Sequence, residues 1–150
     1  MKNVFLLLFF LILTIPLESY AAIKFAFGSC HDQKKEGKHF ETLSKEDAQA
    51  WIWLGDNIYS DFYSIKKRQR AYQKILNNVG YQSIKSKMHT WGTWDDHDYG
   101  FNNADGNYEW KDESKELLLN FLGVDDKDPV RFRKGVYYDR VLEKDNLKVH

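Results

Sequence analysis

Residues 51–56 read Trp-Ile-Trp-Leu-Gly-Asp: four apolar side chains in a row, stopped at once by a glycine and a carboxylate. A continuous apolar run this short, closed by a turn signal, is the pattern of a buried strand in a parallel sheet. The same punctuation recurs on either side. Upstream, Ile23 to Ser29 (IKFAFGS) alternates, is rich in β-formers, and gives way to a sharp loop at Gly28-Ser29-Cys30. Downstream, His89 to Trp94 reads as a third strand and runs into Asp95-Asp96-His97-Asp98.

Helical spacing fills the intervals. Phe40 to Ala50 is expected to be a helix with Phe40, Leu43 and Ala48 on one side. Ser64 to Asn77 reads as a basic amphipathic helix carrying Ile65, Ala71, Tyr72, Ile75 and Leu76, with Gly80 as its stop and a shorter helix from Tyr81 to Met88. Asp112 to Gly123 forms another, with Leu117, Leu118, Phe121 and Leu122 inward. Val136 to Leu142 and Leu147 to His150 read as a hairpin around Glu143-Lys144-Asp145-Asn146. The order β-α-β-α-α-β-α-β-β predicts an α/β layered fold in which right-handed crossovers join the first three strands. The last strand has barely begun at His150, so the expectation is the front part of a longer domain, with an open sheet edge.

The chain's 150 residues have zero formal net charge, which excludes a broad basic field for nucleic acid and an acidic, disordered chain. With 43% hydrophobic and 16% aromatic residues and two prolines, one core and one domain are expected, spanning 22–150. Residues 1–21 read as a secretory signal: a lysine at position 2, an apolar run from Val4 to Leu17, and small residues Ser19 and Ala21 before the cleavage point. The run is shorter than the ~20 residues of a spanning helix, so no stable membrane anchor is expected after cleavage, and the product is secreted or periplasmic. In such a compartment the lone Cys30 is a buried thiol, an intermolecular link or a metal ligand.

Each of the first three strands ends in side chains able to bind metal: Cys30-His31-Asp32, then Asp56 with Asn57 and Tyr59 beyond it, then Asp95 to Asp98. Ligands of open α/β sheets sit beyond the carboxyl ends of the strands, so three distant loops would meet at one rim. Taken singly, Gly55-Asp56-Asn57 is an ordinary turn, Tyr59 a packing aromatic, Cys30 a small hydrophobe and His97 a structural imidazole; Asn102-Asn103 reads first as a turn. Their coincidence at strand ends favours a cation. Thiolate and phenolate beside carboxylates suit iron, and an oxygen-only neighbouring site suits calcium or magnesium. Two ions roughly 3.5–4 Å apart would clamp phosphoryl oxygens and activate a water, with His97 as a proton donor to the leaving group.

At these residues the sequence resembles the alkaline phosphatase D family, secreted metallophosphoesterases distantly similar to purple acid phosphatases. The resemblance runs through FGSCHDQ (27–33), WLGDNIYSD (53–61), TWDDHDYGFNNAD (93–105), ESKELLLNFLG (113–123) and KGVYYD (134–139). It implies the incomplete N-terminal half of a four-layer αββα sandwich with flanking helices, and hydrolysis of a small phosphate monoester or diester at an Fe(III) and Ca²⁺ (or other divalent) centre. Cys30 would ligate iron, Asp56 bridge the two metals, Tyr59 give an iron–phenolate bond and Asp96 act as a further ligand. His97 would be the phosphate-facing catalytic group, with Asp95 and Asn103 as weaker candidates supporting the ligands from behind. Where the wider superfamily opens with Asp-x-His, this chain has Cys30-His31-Asp32, as the narrower family does. The later strands that supply the family's remaining ligands have no counterpart in these 150 residues, so activity of this chain alone is in question. The rival expectation is a non-catalytic exported module in which Trp51, Trp53, Trp91, Trp94 and Trp110 form an aromatic surface for a glycan or cell-wall polymer.

Overall fold

The structure, a computed structural model, describes residues 22–60 and 64–150. The expected signal segment, 1–21, lies outside the described residues. Among those described, no helix is long and apolar enough to cross a membrane. The fold is mixed α/β. Strands β1 (Phe25–Gly28), β2 (Ala50–Leu54) and β3 (His89–Thr93) form a parallel sheet in the order β1-β2-β3, with Gly28 opposite Trp53 and Trp53 opposite Gly92.

That register explains the glycines of the outer strands. A Cβ at Gly28 would stand 2.8 Å from the Trp51 ring, and one at Gly92 only 2.6 Å from the Trp53 Cβ. Two indoles on the same face of β2 thus need bare backbone on either side. Helices α1 (Lys38–Leu43), α2 (Ile65–Leu76), α3 (Val79–Lys87) and α5 (Lys111–Leu122) contribute to the core over this face. Trp53 is 1% exposed, packs on Phe40, Tyr81 and Phe121, and donates its indole N–H to the Tyr81 hydroxyl at 3.0 Å. The partner for the buried N–H removes the penalty that usually attends a fully enclosed Trp.

The opposite face is built differently. Phe25, Phe27 and Leu54 are exposed, Phe27 by 66%. Ile52 and Trp91 border a groove with Tyr138, Arg140, Leu142 and Val149. β3 lies at an edge of the sheet, where its outward backbone groups would be open to pairing. There the Tyr138 hydroxyl receives the Gly92 N–H at 2.7 Å and donates to the Gly92 carbonyl at 2.9 Å.

Several expectations need correction. The first helix stops at Leu43 instead of continuing to Ala50, because Ala50 is recruited as the first residue of β2 and Gln49 already bonds the Lys24 carbonyl. Gly80 is not a helix stop: α2 ends at Leu76 and Gly80 lies inside α3, where a Cβ would meet the α1 backbone at 2.8 Å. The hairpin is shorter than expected, pairing only β4 (Leu142–Lys144) with β5 (Leu147–Val149) around Asp145 in a left-handed conformation. Residues 136–141 are not a strand, and Tyr138 is spent on the edge of β3. Between β3 and α5 the chain adds α4 (Asp96–Tyr99), where a loop was expected. Leu119 joins the buried face of α5, while Leu117 is half-buried.

Two measurements test this core. Trp53→Ala removes a fully enclosed side chain and should lower the unfolding free energy by about 3–5 kcal/mol in a denaturant titration. His31, packed against Phe40 and Trp53, is pushed down to about 4 by burial and then by the neighbouring His39, with Asp32 opposing. The unfolded chain takes up this proton near pH 6.5 and the folded chain only near 4, so stability should fall as pH drops through that window. In His31→Phe, thermal melts should show a shallower decline over the same range.

Candidate metal centre

The three parallel strands deliver their following loops to one rim. Cys30 N–H donates to the Gly55 carbonyl at 3.2 Å and His31 N–H to the Asp56 carbonyl at 2.9 Å, so the loops after β1 and β2 run side by side. Gly55 has φ +100°, and a Cβ there would fall 2.8 Å from the Asp95 Cβ; only glycine lets the β2 and β3 loops approach so closely. Cys30, Asp56 and Asn103 all adopt positive φ, an uncommon conformation for residues with a side chain.

Asp98 ties these loops together. Fully buried, its carboxylate accepts the Asn57 N–H at 3.1 Å, the Tyr72 hydroxyl at 2.8 Å and the Asp95 N–H at 3.2 Å. Burial lifts its carboxyl to about 6 against the pull of those three donors. Asp95 turns back to cap α4, its Oδ1 accepting the Asp96 N–H at 2.9 Å, and completes a capping box with Asp98. Of the acidic run, therefore, Asp95 and Asp98 hold backbone.

Asp96 and His97 are left facing Asp56. One ligand atom from each of these three residues lies within 4.8 Å of the others. Asn103 contributes through its backbone, its N–H donating to Asp96 Oδ2 at 2.5 Å. That bond holds the Asp96 carboxyl below the usual range, despite partial desolvation. Cys30 and Tyr59 approach the same Asp56: the Cys30 thiol is 3.8 Å and the Tyr59 hydroxyl 3.0 Å from Asp56 Oδ2. Burial and these two partners raise the Tyr59 phenol well above its ordinary value. The Tyr59 ring lies 4.5 Å from that of His97. All five residues expected to act at the centre thus converge on one place.

The donor set fits a cation on a feature of its own. Among the described residues, none donates a hydrogen bond to the buried Asp56 Oδ1. An ionised oxygen left bare inside a protein is costly, and a cation is the partner that the surrounding acids would share. Gln33, which shapes the site, was not singled out in the sequence, and Asn57, expected there among metal-capable side chains, holds backbone instead. Gln33 clamps Tyr59 in both directions, donating to its carbonyl at 2.8 Å and accepting its N–H at 2.9 Å. Asn57 donates its side-chain amide to the Thr93 carbonyl at 2.9 Å, bonding the ends of β2 and β3. Nothing in the local pattern of Gln33 announces this; its only signal is that it follows the Cys30-His31-Asp32 strand end.

Trp51 and Trp53, by contrast, are core residues at 3% and 1% exposure, so neither presents an aromatic surface to a polymer. Compared with protein-family models, with curated proteins and with solved structures, the chain matches none.

The two neighbouring aspartates should separate cleanly on mutation. Asp98→Ala strands the Asn57 N–H and the Tyr72 hydroxyl in the interior, at about 1–3 kcal/mol for each donor. Asp95→Ala removes an exposed helix cap and should cost about 1 kcal/mol. Thermal or urea melts of the two variants give the comparison.

Proposed function

We propose that this is an exported metal-dependent phosphoesterase of the alkaline phosphatase D type, or the N-terminal portion of one. The observation that carries the reading is the state of Asp56. One of its oxygens is buried without a donor among the described residues, the other takes Tyr59 and Cys30, and Asp96 and His97 complete a cluster within 4.8 Å. Asp56 would bridge two ions, with Cys30, Tyr59 and Asp96 as the remaining ligands this chain supplies. Thiolate and phenolate beside carboxylates favour Fe(III) for one ion, and an oxygen-only neighbour favours Ca²⁺ or another divalent ion for the second.

Such a pair, when bound, supplies Lewis acidity toward phosphoryl oxygens and an acidified water. The protein's own groups do the rest. Asp96, kept ionised by the Asn103 N–H, offers charge to the centre without needing to lose a proton first. Tyr59 holds its phenolic proton on Asp56 Oδ2 in the metal-free chain, so phenolate ligation would release that proton. His97, 9% exposed and set against the Tyr59 ring, would hand a proton to the leaving ester oxygen. The substrate class is a small phosphate monoester or diester.

The open sheet face supports the finer reading of the fold. Exposed Phe25, Phe27 and Leu54 are the inner-face composition of a sheet that packs on a second one, as in an αββα sandwich. The pattern of residues 1–21 supports export.

Metal analysis of the purified chain should find bound iron with a divalent partner, and a visible tyrosinate-to-iron band that Tyr59→Phe abolishes. Protein with neither metal nor band would falsify the iron version. Asp56→Asn should weaken metal binding by about 10- to 100-fold or more. Turnover of p-nitrophenyl phosphate and of its bis ester would separate monoesterase from diesterase action.

A further inference from the structure

Arg68, on the basic helix α2, is completely buried. Among the described residues its guanidinium meets no carboxylate: it donates to the carbonyls of Gly100 and Tyr99 (3.4 Å), to Ser114 Oγ at 2.5 Å and to the Tyr108 hydroxyl at 3.4 Å. It also lies 5.4 Å from the centre of the Tyr108 ring, and its Nε has no partner among the described residues. A buried cation with only neutral partners is expensive, and an apolar residue of similar length is often tolerated as well or better where stability alone is at stake. The place it grips is informative. Tyr99 and Gly100 form the carboxyl end of α4, the single helical turn whose first two residues are Asp96 and His97. A turn this short has carbonyls with no helical partner at its end. The chain cannot easily change there, since a Cβ at Gly100 would meet Ala104 at 2.6 Å and Tyr108 at 3.1 Å.

We propose that Arg68 is a positioning residue for the metal centre: by clamping the carboxyl end of α4 to α2 and, through Ser114, to α5, it holds Asp96 and His97 against Asp56, though no atom of its own is placed among the ligands. This rests on the metal reading of the Asp56 cluster. Asp98 anchors α4 from its amino-terminal side through Asn57 and Tyr72, and Arg68 anchors it from the other. Both anchors involve α2, since Tyr72 stands one turn beyond Arg68, and the first is shared with the loop after β2 through Asn57. The helical turn is therefore held from α2 on one side and from α2 and the β2 loop on the other, with Asp96 and His97 left facing Asp56.

The test uses Mn²⁺ as the probe, its free concentration read by electron paramagnetic resonance in titrations of the purified chain. Arg68→Met should weaken Mn²⁺ binding by about 10- to 100-fold while the circular dichroism spectrum is kept. Arg68→Lys, which can reach one carbonyl but not span the turn and Ser114, should fall between. In the metal-free protein, hydrogen exchange of the peptide 95–104 should be faster in Arg68→Met than in the parent. Should the parent bind Mn²⁺ and Arg68→Met bind it equally well, the positioning role is overturned and the metal reading stands. Should the parent bind no Mn²⁺, the metal reading fails, and with it the proposal that rests on it; exchange in 95–104 then reports only whether the clamp exists. If Arg68→Met does not fold, Ser114→Ala, which removes the shortest side-chain anchor of the guanidinium, takes its place. Unchanged Mn²⁺ affinity in that variant overturns the proposal; a severalfold loss supports it.

Discussion

The rim of this molecule depends on a buried carboxylate that ligates nothing. Asp98 collects donors from three directions: the backbone after β2 at Asn57, the backbone after β3 at Asp95, and the hydroxyl of Tyr72 from α2. Parallel strands cannot be joined by tight turns, so their carboxyl ends share an edge without any local chemistry forcing the loops together. Here a single anion does so, at the cost of being ionised in the interior, and the rise of its carboxyl to about 6 measures that cost in direction. Once the two loops are bonded, Asp56 and the Asp96–His97 pair have little freedom to move apart.

Bringing acids together this way creates a second problem, and its form is specific. Asp98 is satisfied three times over, and Asp95 is satisfied by capping a helix, but Asp56 retains a buried oxygen with no donor among the described residues. Neutral donors were available nearby and were used elsewhere: Asn57 spends its amide on Thr93, and Gln33 spends both ends on Tyr59. The rim therefore has polar side chains enough to quench a stray carboxylate, and they are directed to holding the loops. What remains open is a cluster of acid, imidazole, thiol and phenol in which Asp56, Asp96 and His97 could hold a cation.

The parts of this that were legible in the sequence are those set by short-range pattern. The apolar run 51–54 was legible as a strand, though only Trp51 and Trp53 are buried while Leu54 is exposed, and the turn residues Gly28 and Gly55 mark where two strands end. The meeting of three strand-end loops at one rim followed from topology, while the choice of Cys30, Asp56, Tyr59, Asp96 and His97 within them came from the family resemblance. What could not be read depends on contacts between distant residues. Gly80 looks like a helix stop until α1 is laid across it, and the six apolar and polar residues after Val136 look like a strand until Tyr138 is seen bonding Gly92. Within Asp95-Asp96-His97-Asp98 the resemblance already picked out Asp96 and His97; what stayed hidden was that Asp95 caps a helix and Asp98 bonds the loops together. Four adjacent residues differ only in which way a single helical turn points them, and that turn is set by Asn57, Tyr72 and Arg68, tens of residues away.

The backbone itself carries the last part of the reasoning. Left-handed conformations cost energy for residues with a Cβ, and among the described residues they occur at Cys30, Asp56, Asn103 and, in the hairpin turn, Asp145. Three of the four lie in the rim, and each presents a group to the cluster: a thiol, a carboxylate, and a backbone N–H to Asp96. Glycine at any of these would relieve the conformational cost, as it does at Gly55 beside them, but at Cys30 and Asp56 it would also delete the thiol or the carboxylate. Strain tolerated where the side chain is needed, next to a glycine used where it is not, is what a site shaped for a ligand would be expected to show.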